Sequence, residues 1–334
     1  MGRIGGWLAA ILLAPALFLG VAWSAAALWF DGPASRWQAG LLAAGFLLGC
    51  LALGVRLRPP RRAAFAVILA VLGVAIWWLR IPPSNDRDWQ PDVSRLPTAT
   101  LSGNRLTVHN VRNFEYRSET DYTERWETRS YDLDSLRGLD IFLCYWGPTL
   151  IAHTIVSWDF ADGGRLAASI ETRKEIGESY SAVRGFFRQF EIYYVLADER
   201  DVVRLRTNHR GERLFLYRIK GTPSQARALL LEYVKEINGL AIRPRWYNAL
   251  TNSCTTAIRH HARRIHAAHP WNWRILANGL ADRMSYERGS IDTSLPFEEM
   301  RRRSEVTERA RAADQAPDFS RRIRLGLPGK ESRP

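Results

Sequence analysis

The sequence predicts an α+β domain with an antiparallel sheet, preceded by three transmembrane helices. Two observations carry this prediction. The first 79 residues contain three apolar runs that are almost free of charge, and the rest of the 334-residue chain alternates short β-type runs with amphipathic helical stretches. The chain is therefore expected to consist of a membrane anchor followed by a folded domain.

Three apolar segments have close to the length that a bilayer requires, namely 4–30, 40–55 and 63–79. A membrane-spanning helix needs about 20 apolar residues, with about 17 near the lower limit. A cleaved signal peptide is the alternative for the first segment, but its apolar run exceeds the usual core of about 7–15 residues and two further spans follow it. The sequence therefore predicts a three-helix transmembrane anchor over residues 1–80.

The short loops between these spans predict the orientation of the anchor. The loop "RLRPPRR" (56–62) carries four arginines, whereas the preceding loop carries only Arg36, set against Asp31. Because cytoplasmic loops are enriched in Lys and Arg, loop 56–62 and the N-terminus are predicted to be cytoplasmic. Three spans then place everything after Leu79 on the other side, so we expect a bacterial inner-membrane protein whose main domain is periplasmic.

The charge of the chain restricts the class of partner. The net charge is +13, and a basic domain tethered to a membrane most simply faces anionic lipid headgroups. Nucleic acid is the other usual partner of such charge, but the sequence has no recognition motif for it. We expect a membrane phospholipid or lipoprotein substrate and no nucleic-acid partner, and the oligomeric state is left open.

The part beyond the anchor is predicted to have three regions. Residues 81–99 are proline-rich and polar and are predicted to form a linker, 100–281 the main domain, and 282–334 a polar, Arg-rich C-terminal arm that is a solvated helix or partly disordered. Within the main domain, the runs 149–160 and 165–172 are joined by a Gly-containing turn, which predicts a hairpin. Further strands are predicted at 139–146, 190–197 and 212–220, and an amphipathic helix at 222–238.

One cysteine is placed at the predicted start of a helix. In "WYNALTNSCTTAIRHHARRIH" (246–266), Cys254 precedes a run with a helical apolar stripe, and Asn252 or Thr251 is available as the helix cap. Unpaired N–H groups and a partial positive charge at a helix N-terminus lower the pKa of a thiol. Cys254 is therefore a candidate nucleophile.

A thiol nucleophile needs a base, and the nearest histidines in sequence are excluded by distance. His260 and His261 follow Cys254 by about 9–10 Å along a helix axis, which is too far for a hydrogen bond. His153 lies inside a strongly apolar strand, where a polar side chain requires a reason, and it is preferred over the other candidates, His109 and His209.

Structural interpretations of these residues stay open at this point. Cys254 is also compatible with a small buried residue or with a partner of Cys144 in a disulfide. A histidine in a strand is often a core residue whose ring is hydrogen-bonded. The pair His260–His261 lacks partners and the cysteines are too scattered for a zinc site. No metal and no cofactor are expected.

Four stretches together resemble the Lnb N-terminal periplasmic domain family (DUF4105), and the resemblance covers most of residues 100–325. They are "IAHTIVSWDFADGGRLAASIETRKEIGESYS", "RLRTNHR", "WYNALTNSCTT" and "IDTSLPFEE". The namesake of this family is a bacterial lipoprotein N-acyltransferase. More distantly, a strand histidine and a later cysteine at a helix start are similar to the permuted NlpC/P60 proteins, which are papain-like and include the lecithin retinol acyltransferase-like enzymes.

The resemblance implies a papain-like arrangement and a mechanism. His153 would deprotonate Cys254, which would carry an acyl group as a thioester, and Ser169 or Glu171 on the adjacent strand would orient the histidine. The residues implied to line the oxyanion or substrate site are Tyr247, Asn252 and Ser253, although Tyr247 is equally compatible with a packing role.

The arginines of "RLRTNHR" have two interpretations. Arg204, Arg206 and Arg210 are placed either to meet phosphate headgroups or on a solvated basic strand or turn.

The favoured function is a membrane-anchored periplasmic thiol acyltransferase or hydrolase acting on lipid or lipoprotein acyl groups. Tethering raises the effective concentration of a substrate in the same bilayer. The alternatives are an NlpC/P60-like peptide or isopeptide hydrolase and a non-catalytic envelope scaffold in which Cys254 is structural.

Overall fold

The structure is a computed structural model, and it divides the chain into two compact units. The first consists of Met1–Ser84 and Tyr180–Phe190, and the second of Asn85–Ser179 and Glu191–Pro334. The residues that the structure describes are 2–33, 35–147, 149–267 and 270–328, with side chains from residue 13 onward.

The first unit contains three long helices. They are α1 (Gly2–Asp31), α2 (Arg36–Arg56) and α3 (Pro60–Leu79), and each is long and apolar enough to cross a membrane. Proline at the first position of α3 is favourable, because that position has no intrahelical N–H bond to lose. The three predicted spans are confirmed as helices of this length and composition.

The segment Tyr180–Phe190 of the first unit bonds to the ends of these helices. The Gln189 amide donates to the carbonyl oxygen of Phe30 at 2.8 Å and to Asp31 Oδ1 at 2.7 Å. Trp78 Nε1 donates to the other oxygen of Asp31 at 2.6 Å. The carboxylate of Asp31 therefore joins α1, α3 and this segment.

The second unit is built on one eight-stranded, mostly antiparallel sheet. Its order is β1-β2-β9-β8-β7-β6-β10, with β5 pairing to β2, and β3 and β4 form a separate ribbon. The strands are β1 (Thr98–Ser102), β2 (Arg105–Arg112), β3 (Glu115–Tyr116), β4 (Tyr122–Thr123), β5 (Trp126–Asp132), β6 (Leu136–Tyr145), β7 (His153–Phe160), β8 (Arg165–Arg173), β9 (Glu191–Ala197) and β10 (Arg213–Arg218).

The predicted hairpin is confirmed, but its first strand is shorter than expected. β7 and β8 pair antiparallel across a turn in which Gly163 adopts a positive φ of 85°, a conformation that favours glycine. The strand predicted from residue 149 begins instead at His153, and Thr149–Ala152 lies in the loop that leads to it. This places His153 at the end of the strand rather than within it.

Helices cover both faces of the central strands, which explains why every residue of β7 is buried. The helices of this unit are α4 (Glu199–Arg204), α5 (Pro223–Ile242), α6 (Cys254–Arg264), α7 (Ala281–Glu287), α8 (Phe297–Ser304), α9 (Thr307–Ala313) and α10 (Phe319–Arg322). On one face, Trp158 of β7 and Tyr194 of β9 pack edge-on against Tyr233 of α5. On the other, Ile155 and Val195 pack with α9 and α10.

The C-terminal region is part of this core, which corrects the expectation of a solvated or partly disordered arm. Val306, Ala310, Phe319 and Ile323 are buried and belong to the cluster that includes β6, β7 and β9. Residues 329–334 of the predicted arm lie outside the described residues. The predicted fold class itself is confirmed, since the chain is α+β with a mostly antiparallel sheet preceded by three long apolar helices.

Candidate active site

The sheet brings His153 beside two polar residues of the neighbouring strand. His153 is the first residue of β7, and β8 runs antiparallel to it with Ser169 opposite Ile155. Continuing this register places Glu171 opposite His153. Ser169, Glu171 and His153 therefore share one face of the sheet, because side chains alternate along a strand.

Both residues that were candidates for orienting His153 contact its ring. His153 Nε2 lies 2.6 Å from Ser169 Oγ and 3.2 Å from Glu171 Oε1. The Ser169 hydroxyl donates to Glu171 Oε1 at 2.6 Å, so its oxygen is left to accept from an N–H at Nε2. This arrangement fixes the proton at Nε2 and leaves Nδ1 as the ring nitrogen for another partner.

Glu171 is held in turn by a buried arginine. Arg206 Nη2 lies 2.9 Å from Glu171 Oε1, and Arg206 Nη1 lies 3.0 Å from Glu212 Oε2. Arg206 is in a π-helical turn, Leu205–His209, and is 5% exposed. Removing any one of these three charged groups would leave a buried charge without its partner, which destabilises the folded state.

The arginines of residues 204–210 were expected either to bind phosphate headgroups or to lie on a solvated basic strand or turn, and their ion pairs correct both expectations. Neither Arg206 nor Arg204 is solvated or free to bind a headgroup. Arg204 is 3% exposed and pairs with Glu115 at 2.8 Å and Asp314 at 2.7 Å. Arg210 pairs with Glu119 at 2.9 Å.

Cys254 begins α6, as the sequence predicts, but a different residue caps the helix. Ser253 is the N-cap and forms a capping box with Thr256, whose hydroxyl oxygen accepts from the Ser253 N–H at 2.8 Å. Asn252, one of the expected caps, instead donates through Nδ2 to the carbonyl oxygen of Trp246 at 3.2 Å. The side chain of Asn252 and the N–H of Ser253 therefore have partners that hold the turn before Cys254.

The ring of His153 acts directly on the thiol of Cys254. Burial raises the pKa of the thiol, but the hydrogen bond with His153 and its charge, helped by the backbone of Thr154 and the hydroxyl of Thr255, lower the pKa of Cys254 to about 7. Burial and Arg206 act against the imidazolium, but Glu171 and the hydrogen bond with Cys254 raise the pKa of His153 to about 9. The thiolate and the imidazolium therefore coexist at neutral pH.

Glu171 keeps its negative charge in this site. Burial alone raises the pKa of a carboxyl group, but His153 and Arg206 hold the pKa of Glu171 well below its usual range. An ionised carboxylate beside the ring is what allows a buried histidine to stay protonated. The arrangement resembles a thiolate–imidazolium pair with an orienting polar group, which is suited to nucleophilic attack on a carbonyl carbon.

The family model of the Lnb N-terminal periplasmic domain matches residues 122–279. This part of the chain carries the Lnb N-terminal periplasmic domain. The family predicted from the sequence is therefore confirmed here, and the matched range contains His153, Ser169, Glu171 and Cys254. Together with the three apolar helices, it indicates a membrane-anchored protein with a periplasmic domain. A search of curated proteins and a search of solved structures each returned no match.

Sequence reasoning missed one polar residue of the Lnb domain that joins the candidate nucleophile to the candidate base. Asn278 is 7% exposed, and its amide bonds both backbone groups of Ala152, at 2.5 and 2.9 Å. Its Nδ2 also donates to Thr255 Oγ1 at 2.7 Å and lies 3.8 Å from Cys254 Sγ. Asn278 therefore ties the residue before His153 to the first turn of α6, a contact across 126 residues that no local pattern indicates.

The remaining candidates of the Lnb domain are placed as follows. Tyr247 is buried in the segment that leads to α6, and its role stays a prediction. His261 is buried, its Nε2 lies 2.8 Å from the hydroxyl of Tyr194, and burial lowers its pKa to about 3; it is therefore a core residue, as the distance argument required. Cys144 and Cys254 are both free thiols in the structure, which does not support the disulfide alternative.

Metal binding can be examined for the described residues of the Lnb domain and the anchor. Among these residues, no three His, Cys, Asp or Glu side chains are grouped as metal ligands.

Proposed function

We propose that this protein is a membrane-anchored periplasmic thiol acyltransferase or hydrolase that acts on lipid or lipoprotein acyl groups through an acyl-Cys254 intermediate. The observation that carries the proposal is the placement of the Cys254 thiol beside the His153 ring: Asn278 bonds the residue before His153 and lies 3.8 Å from Cys254 Sγ. In this position His153 lowers the pKa of Cys254 to about 7. A cysteine with only a structural role does not need a lowered pKa, and burial by itself would raise it.

The residues around this pair are assigned three roles. His153 is the base, with Nδ1 toward the thiol because Ser169 and Glu171 occupy Nε2. Ser169 and Glu171 orient the ring and favour its charged form. The capping box takes up the N–H of Thr256, so the N–H groups of Cys254 and Thr255 are the ones at the start of α6 that are proposed to bind an oxyanion. Asn278 keeps the strand and the helix in register.

The reaction proceeds in two steps that return the site to its starting state. His153 takes the thiol proton, the thiolate attacks the carbonyl carbon of an acyl ester, and the departing alcohol receives the proton from His153. The acyl group is then a thioester on Cys254. An amine or a water molecule attacks the thioester, His153 removes its proton, and Cys254 leaves as the thiolate.

The proposed location follows from the anchor. The four arginines of loop 56–62 favour a cytoplasmic position for that loop and for the N-terminus. With three spans, the Lnb domain is then in the periplasm of a bacterial inner membrane and meets lipids of that membrane as its substrates.

The test is intact-protein mass spectrometry of the detergent-purified full chain incubated with phospholipid. We expect the wild type to gain the mass of a fatty acyl group, removable by neutral hydroxylamine, and Cys254→Ala to gain nothing. Cys144→Ala is the matched control and should keep the adduct, because burial raises the pKa of Cys144 and removes it from thiolate chemistry. A wild type that stays unmodified while thiol probes label Cys254 would overturn the lipid substrate and favour peptide bonds.

A further inference from the structure

Six exposed apolar side chains lie on three loops next to the candidate nucleophile. One loop leads from β6 to β7, one precedes α6, and one joins α6 to α7. Their exposed fractions range from 49% for Leu276 to 63% for Trp271. We call these residues the apolar rim: Leu150, Ile151, Leu250, Trp271, Trp273 and Leu276.

Backbone contacts hold two of these loops side by side. The N–H of Gly279 donates to the carbonyl oxygen of Leu150 at 3.0 Å. The approach is so close that a Cβ at Gly279 would lie 2.0 Å from the carbonyl oxygen of Thr149. Leu276 and Ile151 therefore project from neighbouring stretches of backbone.

The side chain of Asn278 brings the third loop, which precedes α6, close to the other two. Asn278 bonds Ala152 and lies 3.8 Å from Cys254 Sγ, and Leu250 comes four residues before Cys254. The apolar rim therefore lies on loops that adjoin the thiol and one another.

The part of the chain that carries most of the rim is positively charged. From Gly239 to Ala281 the sequence contains six arginines and no carboxylate. Three of the six pair with glutamates outside this stretch, namely Arg245 with Glu236, Arg264 with Glu232 and Arg274 with Glu287. Arg263 and Arg264 are exposed at the end of α6. Exposed tryptophan and leucine side chains beside arginines are the combination found at the interface of anionic bilayers, where indole rings sit at headgroup level and guanidinium groups meet phosphates.

We propose that the apolar rim docks onto the surface of an anionic phospholipid bilayer and passes acyl chains to Cys254. Clustered exposed apolar side chains mark interaction surfaces, and the three membrane-spanning helices keep a bilayer within reach of the domain. The inference rests on the proposed function only for the fate of the acyl chain, because docking itself needs no catalysis. A lipid would enter the site with its acyl chains still in contact with apolar surface.

The test uses the full chain reconstituted in liposomes of phosphatidylethanolamine and phosphatidylglycerol, with a small fraction of phosphatidylglycerol that carries a diazirine in its acyl chain. After irradiation, cross-linked peptides are mapped by mass spectrometry. We expect cross-links in 149–151, 250 and 271–276, in addition to the helices of the anchor. In the triple variant Trp271→Ser, Trp273→Ser, Leu276→Ser the yield of rim cross-links should fall at least about tenfold, since each apolar side chain contributes to partitioning of the rim into the bilayer.

The control carries serine at Leu101 and Ile176, which are 48% and 69% exposed and lie outside the three loops. It should keep the rim cross-links. Cross-links confined to residues 13–79, or equal losses in both variants, would overturn the proposal.

The experiment distinguishes a failure of membrane docking from a failure of the proposed reaction. Cys254→Ala should keep the rim cross-links, because it removes only the nucleophile. Rim cross-links in a wild type that forms no thioester would sink the proposed reaction and leave the docking surface in place. A thioester formed without rim cross-links would do the reverse.

Discussion

At the scale of single residues, the charge state of Cys254 is decided by its neighbours rather than by its place on the helix alone. Burial works against the thiolate, and the imidazolium of His153 outweighs it. The imidazolium in turn depends on Glu171, since burial and Arg206 both oppose it. With pKa values of about 7 for the thiol and about 9 for the ring, the charged pair is present between these two values of pH.

The first prediction concerns the pH dependence of Cys254 alkylation by iodoacetamide. In the wild type the rate should rise with an inflection near pH 7. In His153→Asn the ring's stabilisation is lost while burial remains, so the thiol pKa should exceed its usual 9.0. The thiolate fraction at pH 7 then falls from about a half to about 1% or less. The rate is measured by peptide mass spectrometry over a pH series.

Cys144 serves as the internal control in the same digest. Cys144 lies opposite His153 on the neighbouring strand β6. Burial raises the pKa of the Cys144 thiol, so this cysteine should stay unmodified over the pH series. A wild-type Cys254 that titrates at the usual 9.0 would contradict the ion pair.

At the scale of elements, the site depends on two loops that touch through their backbones. The strand β7 carries the candidate base, the helix α6 carries the candidate nucleophile, and the segment around Asn278 and Gly279 connects the two elements. A Cβ at Gly279 would lie 2.0 Å from the carbonyl oxygen of Thr149 and 2.6 Å from the carbonyl carbon of Leu150, so only a residue without Cβ fits. Glycine is therefore required at this position by space, and not by an unusual φ.

The second prediction is that Gly279→Ala destabilises the protein by about 1–3 kcal/mol, the usual cost of overpacking. The added Cβ meets backbone atoms, so the loop must move and take Asn278 with it. Thermal unfolding of the full chain in detergent measures the loss, and slower alkylation of Cys254 at pH 7 reports the displacement. Gly239→Ala in α5 is the control, because nothing lies within 4 Å of its Cβ position, and it should be neutral or stabilising by about 1 kcal/mol at most. Equal stability of both variants would show that the loop yields freely.

At the scale of the whole molecule, the C-terminal helices complete the core and supply a buried charge. Arg324 is 6% exposed and bonds Asp140 of β6 at 2.8 Å and Glu199 of α4 at 2.5 Å. Burial raises the pKa of Glu199, but Arg324 outweighs it and lowers this pKa to about 2. Arg324 thus pairs with two carboxylates under the sheet, and Arg218 is a second partner of Asp140.

The third prediction is that Arg324→Met lowers the free energy of unfolding by about 3–5 kcal/mol at pH 7, since it leaves buried carboxylates without this partner. The pKa of Glu199 is depressed in the folded state, so its contribution is present above its usual 4.5 and is lost as the pH falls toward about 2. The difference between wild type and variant should therefore narrow on acidification. Urea unfolding in detergent, followed by tryptophan fluorescence, measures both.

Arg321→Met is the matched control for this substitution. The Arg321 side chain is 78% exposed and pairs with Asp318 within the same helix, so its loss should change the free energy of unfolding by no more than about 0.5 kcal/mol. A difference at pH 7 that persists unchanged at low pH would speak against the role of Glu199.

The sequence by itself determined the features that depend on local pattern. The three apolar runs predict membrane-spanning helices because their length matches the apolar thickness of a bilayer. The two β-type runs joined by a Gly-containing turn predict the hairpin. Cys254 at a helix start and His153 in an apolar strand were identified for the same reason, since each is unusual in its immediate surroundings. The family was recognised from several such stretches in order.

Only the tertiary structure decided the features that depend on contacts between distant residues. Arg206 and Arg324 look solvated in the sequence because their local composition is basic. The carboxylates of Glu171, Asp140 and Glu199, which pair with these arginines, come from other strands and helices. Asn278 has no local signal, because its partner Ala152 is 126 residues away. The orienting residues Ser169 and Glu171 could not be separated in the sequence, and the structure places both on His153 because one strand face presents them together.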